Sequence, residues 1–352
     1  MCTISKIDRN FAIQTELELD HVKFYDIQQE PFTIYGVFHE NGLYRRMPEA
    51  VAKAVSPGVE RLHQHTAGGR VKFITNSRYV AIKAAMPAIG KMPHFALTGS
   101  AGFDLYTGKN EVYYKSFVPP FQISDGYESV IHFDSRKKRE ITINFPLYSF
   151  VSALYIGLEQ DAVVKKSSGY PQEAPIVFYG SSITQGGCAS RPGNAYTSVL
   201  SRALQRDHIN LGFSGNAKAE DEMAQYIKAL NMSLFVYDYD HNAPTLEHLS
   251  ETHSRMFATI RQAQPELPIL LLSRPKYRLD QEEKQRLEVI KSTYDAAISA
   301  GDRNVYFMDG PTLMKYAKCD GTVDGCHPND LGFYSMAKAI LPLTRSILSQ
   351  TP

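Results

Sequence analysis

Ala174-Pro175-Ile176-Val177-Phe178-Tyr179-Gly180-Ser181-Ser182 is where this chain of 352 residues changes its grammar. Four apolar residues in a row, with nothing polar between them, suit a strand buried on both faces. Similar runs follow at 209–211, 234–237, 269–272 and 305–308. Long helical stretches separate them, at about 194–206, 219–231, 245–264 and 279–300, and one more occupies about 330–349. Gly301 ends one of these and Pro265 another, as helix-stopping residues do. Five alternations of strand and helix predict an α/β domain over 170–352, a three-layer α/β/α stack about a parallel five-stranded sheet.

Upstream of that stretch the apolar period is two. Ile141, Ile143 and Phe145 alternate with Thr142 and Asn144, and Val112 and Tyr114 with Tyr113 and Lys115, the pattern of half-buried antiparallel strands. Turn signals recur at Ser56-Pro57-Gly58, Ala67-Gly68-Gly69, Asn76-Ser77 and Thr107-Gly108-Lys109-Asn110. The basic Ser135-Arg136-Lys137-Lys138-Arg139 reads as a solvated hairpin turn. Residues 1–165 are therefore expected to form a jelly-roll-like β-sandwich, with 159–175 as the connection between the halves.

Composition narrows the partners. With 38 Lys and Arg against 37 Asp and Glu there is no net field to hold nucleic acid or an anionic membrane surface, and neither is expected. The longest apolar run, 267–272 with Pro268 inside it, is far short of the about 20 residues a membrane helix needs. Met1-Cys2-Thr3-Ile4-Ser5-Lys6-Ile7-Asp8-Arg9-Asn10 carries charges where a signal peptide has its apolar stretch. The expectation is a cytoplasmic chain as written, or a periplasmic or secreted one if the N-terminus was trimmed. Cys2, Cys188, Cys319 and Cys326 are too few for a disulfide framework. Trp is absent, so any sugar-stacking platform would use Tyr or Phe.

In an open α/β sheet ligands bind beyond the carboxyl ends of the strands, so the residues just after each apolar run carry the chemistry. Gly180-Ser181-Ser182-Ile183-Thr184-Gln185-Gly186-Gly187 follows the first and matches neither the dinucleotide fingerprint nor a Lys-Ser/Thr phosphate loop. A serine on such a turn can be a nucleophile if a histidine base and its carboxylate reach it from elsewhere. Asp324-Gly325-Cys326-His327 supplies both, with the carboxylate placed to accept from the ring nitrogen facing away from the serine. The alternative roles are a turn for Asp324 and a helix N-cap for Asn329 or Asp330. Cys319, Cys326 and His327 lack a fourth ligand and any recognised zinc spacing, so no metal is expected. After the second run Gly212-Phe213-Ser214-Gly215-Asn216 offers glycine N–H groups, and after the third Asn242 offers a side-chain amide, both able to meet an oxyanion.

In this order at successive strand ends, the four segments resemble the SGNH, or GDSL-type, serine esterases. The resemblance implies Ser182 as nucleophile, Asp324 and His327 as its triad partners, and Gly215 and Asn242 as oxyanion donors beside Ser182 itself. The first block usually reads Gly-Asp-Ser and here reads Gly180-Ser181-Ser182, which makes Ser181 the competing hydroxyl. The third keeps only its asparagine, in Asp240-His241-Asn242-Ala243, and His241 is expected to pack or touch substrate rather than act as base. Gly102-Phe103-Asp104-Leu105-Tyr106 matches the Gly-x-Asp-Leu-Tyr signature of a bacterial branch in which a β-sandwich precedes the catalytic domain. The stretch from Pro146-Leu147-Tyr148-Ser149-Phe150 to Leu154-Tyr155-Ile156-Gly157-Leu158 is similar to the same branch. By spacing alone, Asp104 is expected to form a turn between strands, with substrate contact as the alternative.

That branch is linked to deacetylation of carbohydrates. The resemblance thus implies a small-molecule or oligosaccharide ester as substrate, cleaved through an acyl-enzyme without metal or organic cofactor. A short-chain lipid esterase or thioesterase is the rival activity, and a carbohydrate-binding protein with an inert hydrolase domain is the rival outside enzymes.

Overall fold

The computed structural model describes residues 17, 19, 21–171 and 174–350. The first ten residues, Cys2 among them, and Gln172 and Glu173 of the expected connection lie outside the described residues. Five parallel strands form the second half's sheet in the order His208–Gly212, Ile176–Gly180, Leu234–Asp238, Ile269–Leu272, Val305–Met308. Their side chains alternate between two cores. Val177, Tyr179, Phe235 and Tyr237 enter one, under helices Asp221–Lys228, Leu246–Ala263 and Gln281–Ser299. Ile176, Phe178, Leu234 and Val236 enter the other, under Tyr196–Leu204 and Asp330–Gln350. Burial on both faces at ~1.5–3 kcal/mol per large apolar side chain is why these strands are written as uninterrupted apolar runs. The helix ends fall where capping allows: Thr245 and Asp280 accept from the backbone N–H of His248 and Glu283 and so stand just outside the helices they start.

The first half is a sandwich of two antiparallel sheets. One runs Val22–Asp26, Ala153–Glu159, Tyr79–Ala85, Gly126–His132. The other runs Val164–Lys165, Arg70–Thr75, Arg139–Asn144, Phe103–Thr107, Val112–Phe117, with Thr33–Tyr35 also on Arg70–Thr75. Phe73, Ile82, Phe103, Ile141, Ile143 and Ile156 fill the space between them.

Four local expectations are corrected. Ser56-Pro57-Gly58 is a helix start and not a strand turn: Ser56 Oγ accepts from Val59 N–H at 3.2 Å, and helices Glu49–Val55 and Pro57–Leu62 meet there. Residues 135–139 join strands of different sheets and so cannot be a hairpin; Arg136 pairs across them with Asp161 at 2.8 Å. Val112 through Lys115 are all exposed, because their strand is the sheet's outer edge and its register with Phe103–Thr107 shifts at Leu105/Tyr106. Asp104 is no turn residue. It sits inside Phe103–Thr107, fully buried, and its charge finds partners across the seam between the halves.

That seam is both apolar and polar. Val55, Val59 and Leu62 of the first half belong to the same core as Val177 and Phe213, and Leu147 and Tyr148 to the same core as Phe178. Asp104 Oδ2 accepts from Arg191 at 3.0 Å and from the Gly193 N–H at 2.9 Å, while Asn144 donates to its Oδ1 at 2.7 Å. Buried Arg46 donates to the carbonyls of Gly212 at 2.6 Å, Asn210 at 3.0 Å and Leu62 at 2.6 Å. A charge taken out of water has to be answered in this way.

Candidate active site

The strand Ile176–Gly180 ends on a glycine because the next turn folds back over it. A Cβ at Gly180 would stand 2.1 Å from the Asp238 carbonyl oxygen and 2.2 Å from Thr184 Oγ1. Gly212 is constrained likewise, 2.1 Å from Gln185 N. This close approach lets the single helical turn Ser182–Gln185 lie at the carboxyl edge of the central strands.

The two candidate serines are separated by their hydroxyl partners. Ser181 is the N-cap of that turn, wholly buried, its Oγ accepting from Ile183 N–H at 3.1 Å. Ser182, one residue on, is 8% exposed and its Oγ lies 3.0 Å from His327 Nε2. His327 Nδ1 is 2.7 Å from Asp324 Oδ2, and Asp324 Oδ1 accepts from the backbone N–H of His327 at 2.7 Å and of Cys326 at 3.0 Å. Burial works to raise the Asp324 carboxyl, but the hydrogen bonds from the His327 ring and these two N–H groups outweigh it and hold the group down at about 2. It is a carboxylate near neutral pH. Asn329 accepts from Gly332 N–H at 3.0 Å and so caps the last helix, and Asp330 takes the backbone N–H of Ser190 at 2.8 Å.

Gly215 has the left-handed φ of +70° with open space where a side chain would be. Asn242 ends the short turn Asp240–Asn242, and its Oδ1 accepts from Ala217 N–H at 3.3 Å, which ties the two candidate donor loops together. No described residue accepts from the Asn242 side-chain NH₂. Ser214 N–H donates to Gln185 Oε1 at 3.1 Å and Phe213 N–H to the Gly180 carbonyl at 2.8 Å, so the Gly215 loop is fastened to the serine's turn. His241 has its Nδ1 3.8 Å from Cys326 Sγ, and burial together with Arg274 and His327 holds it well below the usual histidine range, hence neutral. It packs behind the His327 loop.

Three first-half residues reach this turn, and motif reading did not assign them. Gln185 Nε2 meets His65 Nδ1 at 2.8 Å and donates to the Leu147 carbonyl at 3.1 Å, and Tyr148 donates to the Ser182 carbonyl at 3.2 Å. The only sequence signal for them was the 146–158 stretch, which holds Leu147 and Tyr148. A cavity of about 450 Å³ opens here between Leu62, His65, Met92, Tyr148, Phe150 and Ser214. A second of about 480 Å³, more apolar, lies beyond Met92 against Phe95, Leu97 and Phe121.

Residues 173–345 match the family model of the GDSL-like lipase/acylhydrolase family, and residues 22–164 that of the N-terminus of SGNH-hydrolase-type esterases. Among solved structures, a Bacteroides ovatus protein described as a GDSL-like lipase is 29% identical, with a TM-score of 0.83 over 93% of this chain and 98% of that one. The salicylyl-acyltransferase of a tetracycline biosynthetic pathway shares the fold at 19% identity and a TM-score of 0.75, covering 95% and 99%. An acetyl xylan esterase from Butyrivibrio proteoclasticus does so at 12% and 0.61, covering 95% and 100%. No curated protein matches.

Proposed function

Since the chain belongs to the GDSL-like lipase/acylhydrolase family and is a carboxylic ester hydrolase, we propose that Ser182, His327 and Asp324 are the triad that performs its acyl transfer. The observation that carries this is the unbroken line from Ser182 Oγ to His327 Nε2 at 3.0 Å and from His327 Nδ1 to Asp324 Oδ2 at 2.7 Å. Neutral His327 takes the hydroxyl proton as Ser182 Oγ attacks the ester carbonyl, then returns it to the departing alcohol. Asp324, ionised, fixes the ring with Nδ1–H toward itself and stabilises the imidazolium. The carbonyl oxygen, negative in the tetrahedral intermediate, is met by the backbone N–H groups of Ser182 and Gly215 and the Asn242 amide. Water repeats the cycle on the acyl-enzyme.

The substrate is an acetyl ester of a carbohydrate. The Gly-x-Asp-Leu-Tyr branch resemblance supports this. Initial rates on p-nitrophenyl acetate, butyrate and octanoate, set beside acetate release from acetylated xylo-oligosaccharides, test it: acetate is to be preferred and released from the sugar. One observation favours a second reading. The apolar cavity bounded by Met92, Phe95, Leu97 and Phe121 is larger than an acetyl group needs, and a rate that climbs from acetate to octanoate would assign it to a longer acyl chain.

A further inference from the structure

We propose that His94, Cys188 and His327 form a binding site for a soft divalent cation, zinc in the first place, and that its occupation switches the hydrolase off. The three come from separate segments. His94 lies between the strand Tyr79–Ala85 and the turn Leu97–Ser100, Cys188 behind the serine's turn, and His327 ahead of the last helix. One ligand atom from each lies within 4.8 Å of the other two. Two imidazole nitrogens and a sulfur, with a solvent molecule as the fourth ligand, are a donor set zinc accepts at ~2.0–2.3 Å. Closing onto an ion therefore takes a movement of about an ångström, and His94 is an exposed side chain free to make it.

Each ligand is already disposed for this. Neither the His94 ring nor the Cys188 thiol makes a hydrogen bond to another described residue, so neither gives up a partner; the His94 ring leans on that of His327, centroids 5.7 Å apart. Cys188 is held at φ +76°, a conformation that a non-glycine residue adopts only when its surroundings impose it. The Nδ1 of His327 is committed to Asp324, which leaves the lone pair on Nε2, 3.0 Å from the Ser182 hydroxyl, for the cation, and the Cδ2 edge beside Nε2 is the one that faces the 187–188 backbone, 3.6 Å from the Cβ position of Gly187. A carboxylate on the far nitrogen of a histidine is also how metal-bound imidazoles are oriented. The pair that prepares His327 as a base prepares it equally as a ligand.

On binding, the thiol releases its proton to solvent and the cation takes the Nε2 lone pair in place of the Ser182 hydroxyl; no electron is transferred. That lone pair can then no longer accept the serine's proton. The inhibitory half of the proposal rests on His327 being the base, the binding half does not.

The test uses the full chain freed of metal by chelation. Cobalt(II) is titrated in and the thiolate-to-cobalt charge-transfer absorption recorded, and in parallel zinc is titrated against ester hydrolysis, for the parent, Cys188→Ser and the surface variant His94→Gln. The expected result is one cobalt per chain with a charge-transfer band that Cys188→Ser abolishes. The zinc inhibition midpoint should rise roughly 10–100-fold or more in both variants, whose metal-free activity stays near the parent's. Absence of the band overturns the site. Zinc inhibition with the same midpoint in all three proteins places the ion elsewhere, and a band without inhibition overturns the switch. Should the parent hydrolyse no ester, the cobalt band still decides the site, so failure of the esterase reading is seen separately.

Discussion

The turn that carries Ser182 is held from two sides by different means. From the α/β half the hold is close and local: Gly180 and Gly212 let backbones approach to where no Cβ fits, Phe213 N–H closes on the Gly180 carbonyl, and Ser214 N–H and Asp238 take the Gln185 and Thr184 side chains. From the sandwich it is long-range and polar. His65 and the Leu147 carbonyl take Gln185, Tyr148 takes the Ser182 carbonyl, Thr98 donates to the Ser190 carbonyl at 2.6 Å, and Asp104 grips Arg191 and Gly193. The proposed triad lies wholly in one half, but the loop behind it is located by the other. The buried Gly-x-Asp-Leu-Tyr aspartate is thus a strut between halves, and its hydrogen bonds go to Asn144, Arg191 and Gly193 rather than to Ser182, Asp324 or His327.

The sharpest test of this contrast is Ser182→Ala against Ser181→Ala. The first is expected to lower kcat by roughly 10⁴–10⁶, as loss of the nucleophile does. The second loses a helix cap, about 1 kcal/mol of stability, and keeps most turnover. A serine-directed phosphonate found on Ser181 by mass spectrometry would reverse the assignment.

Next in size is the loss of the sandwich. A fragment of residues 170–352 would bare the apolar surface now covered by Val55, Val59, Leu62 and Leu147, and is expected to be poorly soluble or far less active than the whole chain. A soluble, monomeric fragment with full activity on an acetylated sugar would make the sandwich an independent accessory.

Within the α/β half, Asn242→Ala should lower kcat by roughly 10²–10³ with KM little changed, the signature of a donor used in the transition state. A raised KM with kcat intact would make it a substrate-binding residue.

Across the seam, Asp104→Ala strands the Gly193 N–H and the Arg191 guanidinium. Arg191 keeps 20% exposure, so the destabilisation should fall below the ~3–5 kcal/mol of a fully buried pair, near 2 kcal/mol, with a smaller loss of kcat than Asn242→Ala. An unchanged urea midpoint would show that the strut bears no strain in keeping the halves together.

The smallest effect concerns the floor of the site. Burial raises the Asp238 carboxyl to about 7 against the hydrogen bonds of Thr184 and Tyr196, with the nearby Asp240 pushing the same way as burial. A carboxyl whose folded value exceeds its unfolded one favours folding below the unfolded value, and that advantage fades as pH climbs toward 7. The Tm of the parent minus that of Asp238→Asn should therefore fall by a few degrees between about pH 4 and pH 7. A constant difference would mean that Asp238 is ionised throughout.

How much of this could be read in advance differed between the halves for a physical reason. The parallel strands were legible because two-sided burial demands unbroken apolar runs, and the helices between them because their period and caps are local. In the sandwich the same reading failed at Ser56-Pro57-Gly58, where Pro57 marks a helix start, and at Val112–Lys115, where an outer edge leaves both faces in water. Turn-forming residues look alike whether they join neighbours in one sheet or cross to the other, which is why 135–139 was read as a hairpin.

The sequence by itself determined the two-part architecture, the five strand ends and the residue types gathered at them, since each of those depends on neighbours within a few positions. Only the tertiary structure decided which serine hydroxyl faces His327, what Asp104 is for, and that His65, Leu147 and Tyr148 stand beside the turn Ser182–Gln185. Asp104 and Arg191 are 87 positions apart, and Arg46 and Asn210 are 164. A buried charge must find its counterpart among whatever groups the packed halves bring to it, and no local pattern records that choice.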